Sequence, residues 1–318
     1  MKNEMLEKLR QAVAHWTVPE IPEEISLGDM PGDKVNIVDG HIKKANLIFP
    51  ELLKLMEANL EGRRNEKTVI AIGGGSGVGK SGIAALLTYY FKQIGIGSYT
   101  MSGDNYPHRI PAQNDAERLR IFRIHGIRGL ISGHLYSEEI KEKLCRIQKE
   151  EKDACPQLAI EEPWLEVYQR AGRNALFSYL GSNQEQNFDE VSDILSQFKN
   201  GADQLWLKRM GREETSIWYE RMDVSKNGVL LLEWTHALNR CIKGVDIPVF
   251  LNSTPEETRE YRLRRNRDRN ADTPFISMVI EIEQKLLEGQ ADQAKLIISK
   301  AGERISYEEY RRLLGESG

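Results

Sequence analysis

The chain has 318 residues, 40% hydrophobic and 29% charged, a size and balance that suit one large α/β domain with additions, or two domains. A formal net charge of −4 speaks against a broad nucleic-acid surface, and no run approaches the ~18 apolar residues of a membrane span. Cys145, Cys155 and Cys241 form no CxxC pair and are expected as ordinary buried thiols in a reducing cytoplasm.

In chain order, MKNEMLEKLRQAVAHW lacks the apolar core of a signal peptide. It predicts an amphipathic helix with Met5, Leu6, Leu9 and Val13 near one face. Pro19, Pro22, Pro31 and Gly32 break up the next stretch of chain. Pro50 is expected in the first turn of a second helix that runs to about Leu60, with Leu52, Leu53, Met56 and Leu60 as its apolar face. Residues 1–66 therefore read as a helical N-terminal extension, whose helices pack on the core or form a contact between copies of the chain. Residues 67–318 read as the main domain.

From Thr68 the pattern is strand, glycine loop, helix: TVIAI, GGGSGVGKSG, IAALLTYYFKQIG. A second short strand, SYTMS, runs into Gly103 and Asp104. Helix and loop are expected from about Asn114 to Met222, including the charged, exposed EEIKEKLCRIQKEEKD and the segment FDEVSDILSQFKNG, whose Gly201 suits a helix end. GVLLLEW (228–234), IPVFLN (247–252) and AKLIIS (294–299) are continuous apolar runs, as in strands buried on both faces of a parallel sheet. Helix-length segments between such strands imply a doubly wound parallel sheet of about five strands with right-handed crossovers. Strand ends near Gly73, Asp104, Glu233 and Asn252 then share one edge, where open α/β sheets hold their ligands.

Gly74, Gly79, Lys80 and Ser81 satisfy G-x-x-x-x-G-K-[ST], the phosphate loop of a three-layer P-loop fold. The run Gly74, Gly75, Ser76, Gly77, Val78, Gly79, Lys80, Ser81, Gly82 can curl its N–H groups around an anion at the positive end of the next helix. Lys80 would reach the β- and γ-phosphates, and the Ser81 hydroxyl would ligate Mg²⁺. The chain has no NKxD tetrapeptide for guanine. Nor does an apolar strand end in the Asp-Glu pair of many ATP-driven motors. Past the second strand comes MSGDNYPHR (101–109). Phosphoryl transfer to a hydroxyl needs a carboxylate to orient the acceptor and take its proton, and Asp104 is placed for that. From position alone, a helix N-cap or an Asx-turn suits it equally.

The phosphate loop, GDNYPHR, LLLEWTH and YRLRRNRD together resemble the phosphoribulokinase/uridine kinase family of P-loop kinases, over roughly residues 67–300. The resemblance implies ATP- and Mg²⁺-dependent transfer of the γ-phosphoryl group to a hydroxyl of a small molecule, such as a sugar phosphate, nucleoside or polyol. It implies Asp104 as the catalytic aspartate and Tyr106, His108 and Arg109 as acceptor contacts. Glu233 stands for the acidic group near the metal, with His236 in the same block. Arg264, Arg267 and Asp268 fit a lid over the nucleotide, with Arg269 next to them. Trp234 departs from the family's glycine, and Asn270 from its Arg-Gly. GDN with a following arginine, and ERLR at 117–120, also resemble the shorter adenylylsulfate kinases. A nucleotide-dependent switch that presents residues 1–66 to a partner is the rival from another class.

Arg109, Arg118, Arg120, Arg123 and Arg128 crowd the residues after Asp104, with His108 and His125 among them. They serve either an anionic acceptor or a solvated face of ion pairs. The helical acceptor-site insert, about 130–225, concentrates Trp164, Tyr168, Tyr179, Trp206, Trp218 and Tyr219, expected mostly as packing residues. In LNSTPEET, Thr254 or Ser253 is expected as a helix cap.

Overall fold

Strands buried on both faces need apolar side chains at every position, and three runs supply them. The computed structural model describes residues 2–22, 25, 29, 37–61, 66–211, 213, 216–254, 256–259 and 273–315. Its strands are β1 (Thr68–Gly74), β2 (Gly97–Ser102), β3 (Gln204–Met210), β4 (Ile217–Asp223), β5 (Asn227–Glu233), β6 (Ile247–Leu251), β7 (Leu296–Ile298) and β8 (Arg304–Ile305). Parallel pairing in the order β2-β5-β1-β6-β7 gives the five expected strands, and the short β8 adds an antiparallel edge. All of β1 is buried, as are Val229 to Glu233 of β5.

Two units divide the chain: residues 1–106, 187–253 and 289–318 in the first, 107–186 and 254–288 in the second. Besides the sheet, the first holds α1 (Lys2–His15), α2 (Asp39–Glu61), α3 (Lys80–Gln93), α8 (Phe188–Lys199) and α10 (Tyr307–Leu313). Helices α1 and α2 share one core with β1 and α3, where Leu9, Ile48, Leu52 and Met56 join Ile70, Ile83 and Leu87. At its centre the Phe49 ring lies 4.4 Å from Trp16, 5.4 Å from Tyr90 and 4.9 Å from Phe91 between centroids. Two details differ from expectation. Val13 is exposed and Ala12 takes its place against the core. Pro50 lies inside α2 rather than in its first turn. Ile48, Phe49, Leu52 and Leu53 are all fully buried around it, and that packing offsets the ~3 kcal/mol a mid-helix proline costs.

The antiparallel ribbon β3–β4 replaces helix and loop expected up to Met222. Of the six aromatics, Trp206, Trp218 and Tyr219 sit exposed on this ribbon, while Trp164, Tyr168 and Tyr179 are buried in the second unit. Gly201, at φ 86°, follows α8 as its sequence predicts.

The second unit is helical: α4 (Pro111–Ser132), α5 (Glu138–Lys149), α6 (Pro156–Glu161), α7 (Pro163–Tyr179) and α9 (Pro274–Glu288). Phe122 of α4 meets Tyr168 of α7 edge-on at 5.3 Å. Arg118 pairs with Glu185 at 2.6 Å and Glu283 at 3.1 Å, Arg123 with Asp153 at 2.9 Å, and Arg120 with Glu117 at 2.6 Å. For these three arginines the ion-pair reading is the one the structure takes. Thr254 acts as a cap, its Oγ1 accepting the Glu257 N–H at 3.2 Å. Cys145 and Cys241 are exposed, against the expectation of buried thiols; α5 buries only Leu144, so Cys145 falls on its charged outer face. Among the described residues, no helix is long and apolar enough to cross a membrane.

Phe49→Ala should cost about 3–5 kcal/mol, read by urea denaturation. A loss below about 1 kcal/mol would contradict a core shared by α2 and α3.

Candidate active site

The parallel register sets Ile72 of β1, Glu233 of β5 and Ser102 of β2 level with one another. Beyond Gly74 the chain curls back, with Gly79 at φ 98° capping α3, a backbone angle that glycine alone takes cheaply. Lys80 Nζ donates to the carbonyls of Gly74 at 3.0 Å and Gly75 at 3.1 Å, closing the curl of the loop. The ring of His41, at the start of α2, lies over this turn: a Cβ at Gly79 would come within 2.7 Å of it.

Glu233 is 2% exposed. Ser81 Oγ, in the first turn of α3, donates to its Oε1 at 3.2 Å, and Ser102 Oγ donates to its Oε2 at 3.4 Å. A buried carboxylate must be hydrogen-bonded, and these hydroxyls meet that need, one from the start of α3 and one from the end of β2. Two residues past Ser102, Asp104 sits exposed in a single 3-10 turn, Gly103–Asn105. Ser102 holds the N-cap position of that turn and Ile110 that of α4, so Asp104 caps neither.

Trp234 explains its departure from glycine. Its indole is buried against Gly103, where a Cβ would lie 2.1 Å from Trp234 Cγ, and it packs on Phe188 at 5.2 Å and His236 at 5.4 Å. Gly103 and Trp234 are thus a matched pair beneath the Asp104 turn.

The remaining expected site residues divide. Tyr106 is fully buried, its hydroxyl accepting the Lys208 N–H at 3.2 Å, and burial pushes its phenol up. It packs the turn and presents no open surface to an acceptor, which corrects the expectation. His236 is 5% exposed and meets Trp234 and Phe188 edge-on, a packing position as well. In the second unit, exposed His108 has Nε2 2.9 Å from the Asn183 carbonyl, and Arg109 donates to Tyr179 Oη at 3.1 Å and Gln184 O at 3.4 Å. Arg264, Arg267, Asp268 and Arg269 lie outside the described residues. Sequence reading missed Ser102, His41 and Asp29. Of these only Ser102, a hydroxyl ending a predicted strand beside Asp104, carries a local signal.

Five parallel strands and a phosphate loop between β1 and α3 make this a P-loop protein of the α/β class. No family model matches the chain. It is 40% identical over 261 residues, 82% of its length, to the bifunctional alpha-galactosidase/sucrose kinase of Mediterraneibacter gnavus, and it spans 23% of that protein. A match of that length takes in the phosphate loop, Asp104 and Glu233. Among solved structures, the chain is similar to a fructose transport system kinase from Silicibacter sp. TM1040, with 10% identity and a TM-score of 0.44 over 74% of this chain and 93% of that one. It is also similar to D-glycerate 3-kinase from Cryptococcus neoformans, with 10% identity and a TM-score of 0.44 over 84% of this chain and 97% of that one. A protein named in part as a sucrose kinase is therefore a relative, in line with the P-loop kinase resemblance drawn from the sequence.

Gly103→Ala should cost about 1–3 kcal/mol in a thermal melt, because the new methyl must displace the indole or the turn. Wild-type stability in that variant would contradict the contact.

Proposed function

We propose that the chain is a kinase that uses ATP and Mg²⁺ to phosphorylate a hydroxyl of a small sugar. The observation that carries this is Glu233, bonded on one side by Ser81 of the phosphate-loop helix and on the other by Ser102 of the strand leading to Asp104. One buried carboxylate thereby joins the anion cradle to the turn that carries an exposed acid.

In this reading the amides of residues 74–82 and the α3 N-terminus hold the triphosphate, and Lys80 turns from the loop carbonyls to the β- and γ-phosphates. Ser81 Oγ and the Glu233 carboxylate, 3.2 Å apart, are the oxygen donors that a hard divalent cation takes. Bound Mg²⁺ would neutralise charge on the transferring phosphoryl group. Asp104 orients the acceptor hydroxyl and accepts its proton as the oxygen attacks, while Lys80 and the loop amides meet the charge on the γ-phosphoryl. His108 and Arg109, which follow Asp104 in the chain, are the candidate acceptor contacts.

A sugar is favoured by the relative named a sucrose kinase. Of the arginines after Asp104, Arg109 stays a candidate for an acceptor's polar groups, while three others are drawn into ion pairs. Arg118, Arg120 and Arg123 are committed to Glu185, Glu283, Glu117 and Asp153, so among the described residues they have their carboxylates already. Free Cys145, Cys155 and Cys241 support a reducing, cytoplasmic setting.

Incubation with ATP, Mg²⁺ and a sugar panel that starts with sucrose should give one phosphorylated sugar by mass spectrometry, with ADP in equal amount. ATP consumption with no phosphorylated sugar across the panel would overturn the reading. Asp104→Asn should lower kcat by about 10²–10⁴ while ATP still binds; full turnover would remove Asp104 from its role. Chelation with EDTA should abolish turnover, and added Mg²⁺ should restore it.

A further inference from the structure

Asp29 belongs to no regular element, yet its carboxylate is fully buried against the end of β2. Oδ1 accepts the Ser102 N–H, and Oδ2 pairs with Arg209 Nη1 of β3 at 2.8 Å. Its main chain is tied in as well. The Asp29 N–H donates to Thr100 O at 3.3 Å, and Asp29 O accepts from Asn105 Nδ2 at 3.1 Å. Asn105, fully buried, accepts the Met210 N–H on its Oδ1 at 3.1 Å. Arg209 also donates to Tyr99 Oη at 3.2 Å and to Glu220 at 3.0 Å. The residues flanking Asp104 are thereby held from three directions. Asp29 grips Ser102 and Asn105, β3 grips Asn105 through Met210, and Trp234 packs against Gly103.

A buried ion pair adds little net stability over apolar packing of the same volume, because both ions lose their water. Burial pushes the Asp29 carboxyl up to about 7, against the lowering by Arg209 and the Ser102 N–H. What such a pair does supply is a fixed geometry, since each partner left alone would be an unpaired buried charge. Here the geometry fixed is that of the turn bearing the only exposed acid of the GDN stretch.

We propose that Asp29 and Arg209 are positioning residues for Asp104, a brace that ties the N-terminal segment and the β3–β4 ribbon to the GDN turn. The kinetic part of the test rests on the kinase reading; the exchange part does not.

Three full-length variants test it: Asp29→Asn, Arg209→Gln and the two together. The double variant removes both buried charges and strands only the exposed Glu220 carboxylate, so it leaves no unpaired buried ion and should fold even where a single variant does not. Amide hydrogen exchange should speed about tenfold or more in peptides covering Ser102–Tyr106 and Lys208–Met210, and little elsewhere. With sucrose or the sugar found active as acceptor, kcat should fall about 10²-fold while KM for ATP stays within about twofold, the sign of a misplaced acceptor-side group. Arg10→Ala, which breaks the exposed pairs of α1 with Glu57 and Glu61, should leave both peptides at wild-type rates. Wild-type exchange in the folded double variant overturns the brace. Faster exchange with unchanged kcat overturns the positioning role. A wild-type chain that phosphorylates no sugar overturns the kinase reading, and exchange alone then decides the brace.

Discussion

A carboxylate that keeps 2% of its surface exposed has to find donors inside the protein, and for Glu233 two of them are the hydroxyls of Ser81 and Ser102. That requirement constrains much around it. Ser81 reaches it only because the phosphate loop turns tightly enough to start α3 directly after β1. Ser102 reaches it only because β2 pairs with β5 in the register that sets the two residues level. Side chains along a strand alternate between faces, so a slip of one residue would move Ser102 to the other side of the sheet. The contact between the two halves of the proposed site is therefore fixed by strand register on the Ser102 side and by the tight curl of the phosphate loop on the Ser81 side.

Around this point the chain takes support from segments distant in sequence. His41 of α2 covers Gly79, and the ring of Phe49 in the same helix meets Phe91 in α3, so the N-terminal segment backs the phosphate loop from outside. Trp234 fills the volume left by Gly103, which places the indole under the Asp104 turn. Tyr106 and Asn105 point inward and meet the backbone of β3 at Lys208 and Met210. Asp104 itself is left at the surface by a turn whose neighbours are all buried.

Much of this was legible in the sequence where the signal is local. The phosphate loop is a spacing of glycines before Lys80 and Ser81. The runs around Val229 and Val249 are apolar at every position because both their faces are covered. The ribbon β3–β4 was not legible, because IWYERMD buries no complete face and a solvated two-stranded ribbon needs no apolar alternation. Tyr106 was expected as an acceptor contact because GDNYPHR resembles the kinase family's acceptor stretch, but its side chain turns inward and its hydroxyl meets the Lys208 N–H. Asp29 had no signal at all. An acid in a run of Gly, Pro and Asp reads as a solvated turn, and only the folded chain brings Arg209 to it.

The buried carboxylates show why Glu233 in particular suits a changeable role. Glu185 is met by Arg118 at 2.6 Å, Asp153 by Arg123 at 2.9 Å, and Asp246 by Lys199 at 2.7 Å, each a charge-assisted bond whose loss would leave an ion unpaired. Serine hydroxyls are different donors. They rotate about the Cβ–Oγ bond, carry lone pairs as well as a proton, and can turn from donating to a carboxylate to ligating a cation beside it. Under the proposed function the Ser81–Glu233 contact would reorganise when a cation enters, at the cost of one neutral-to-charged hydrogen bond. The cationic partners of the other buried acids, two arginines and a lysine, carry no lone pair to offer a cation. In the proposed site, strand register keeps Glu233 and Ser102 aligned while the two serine hydroxyls yield where charge must arrive.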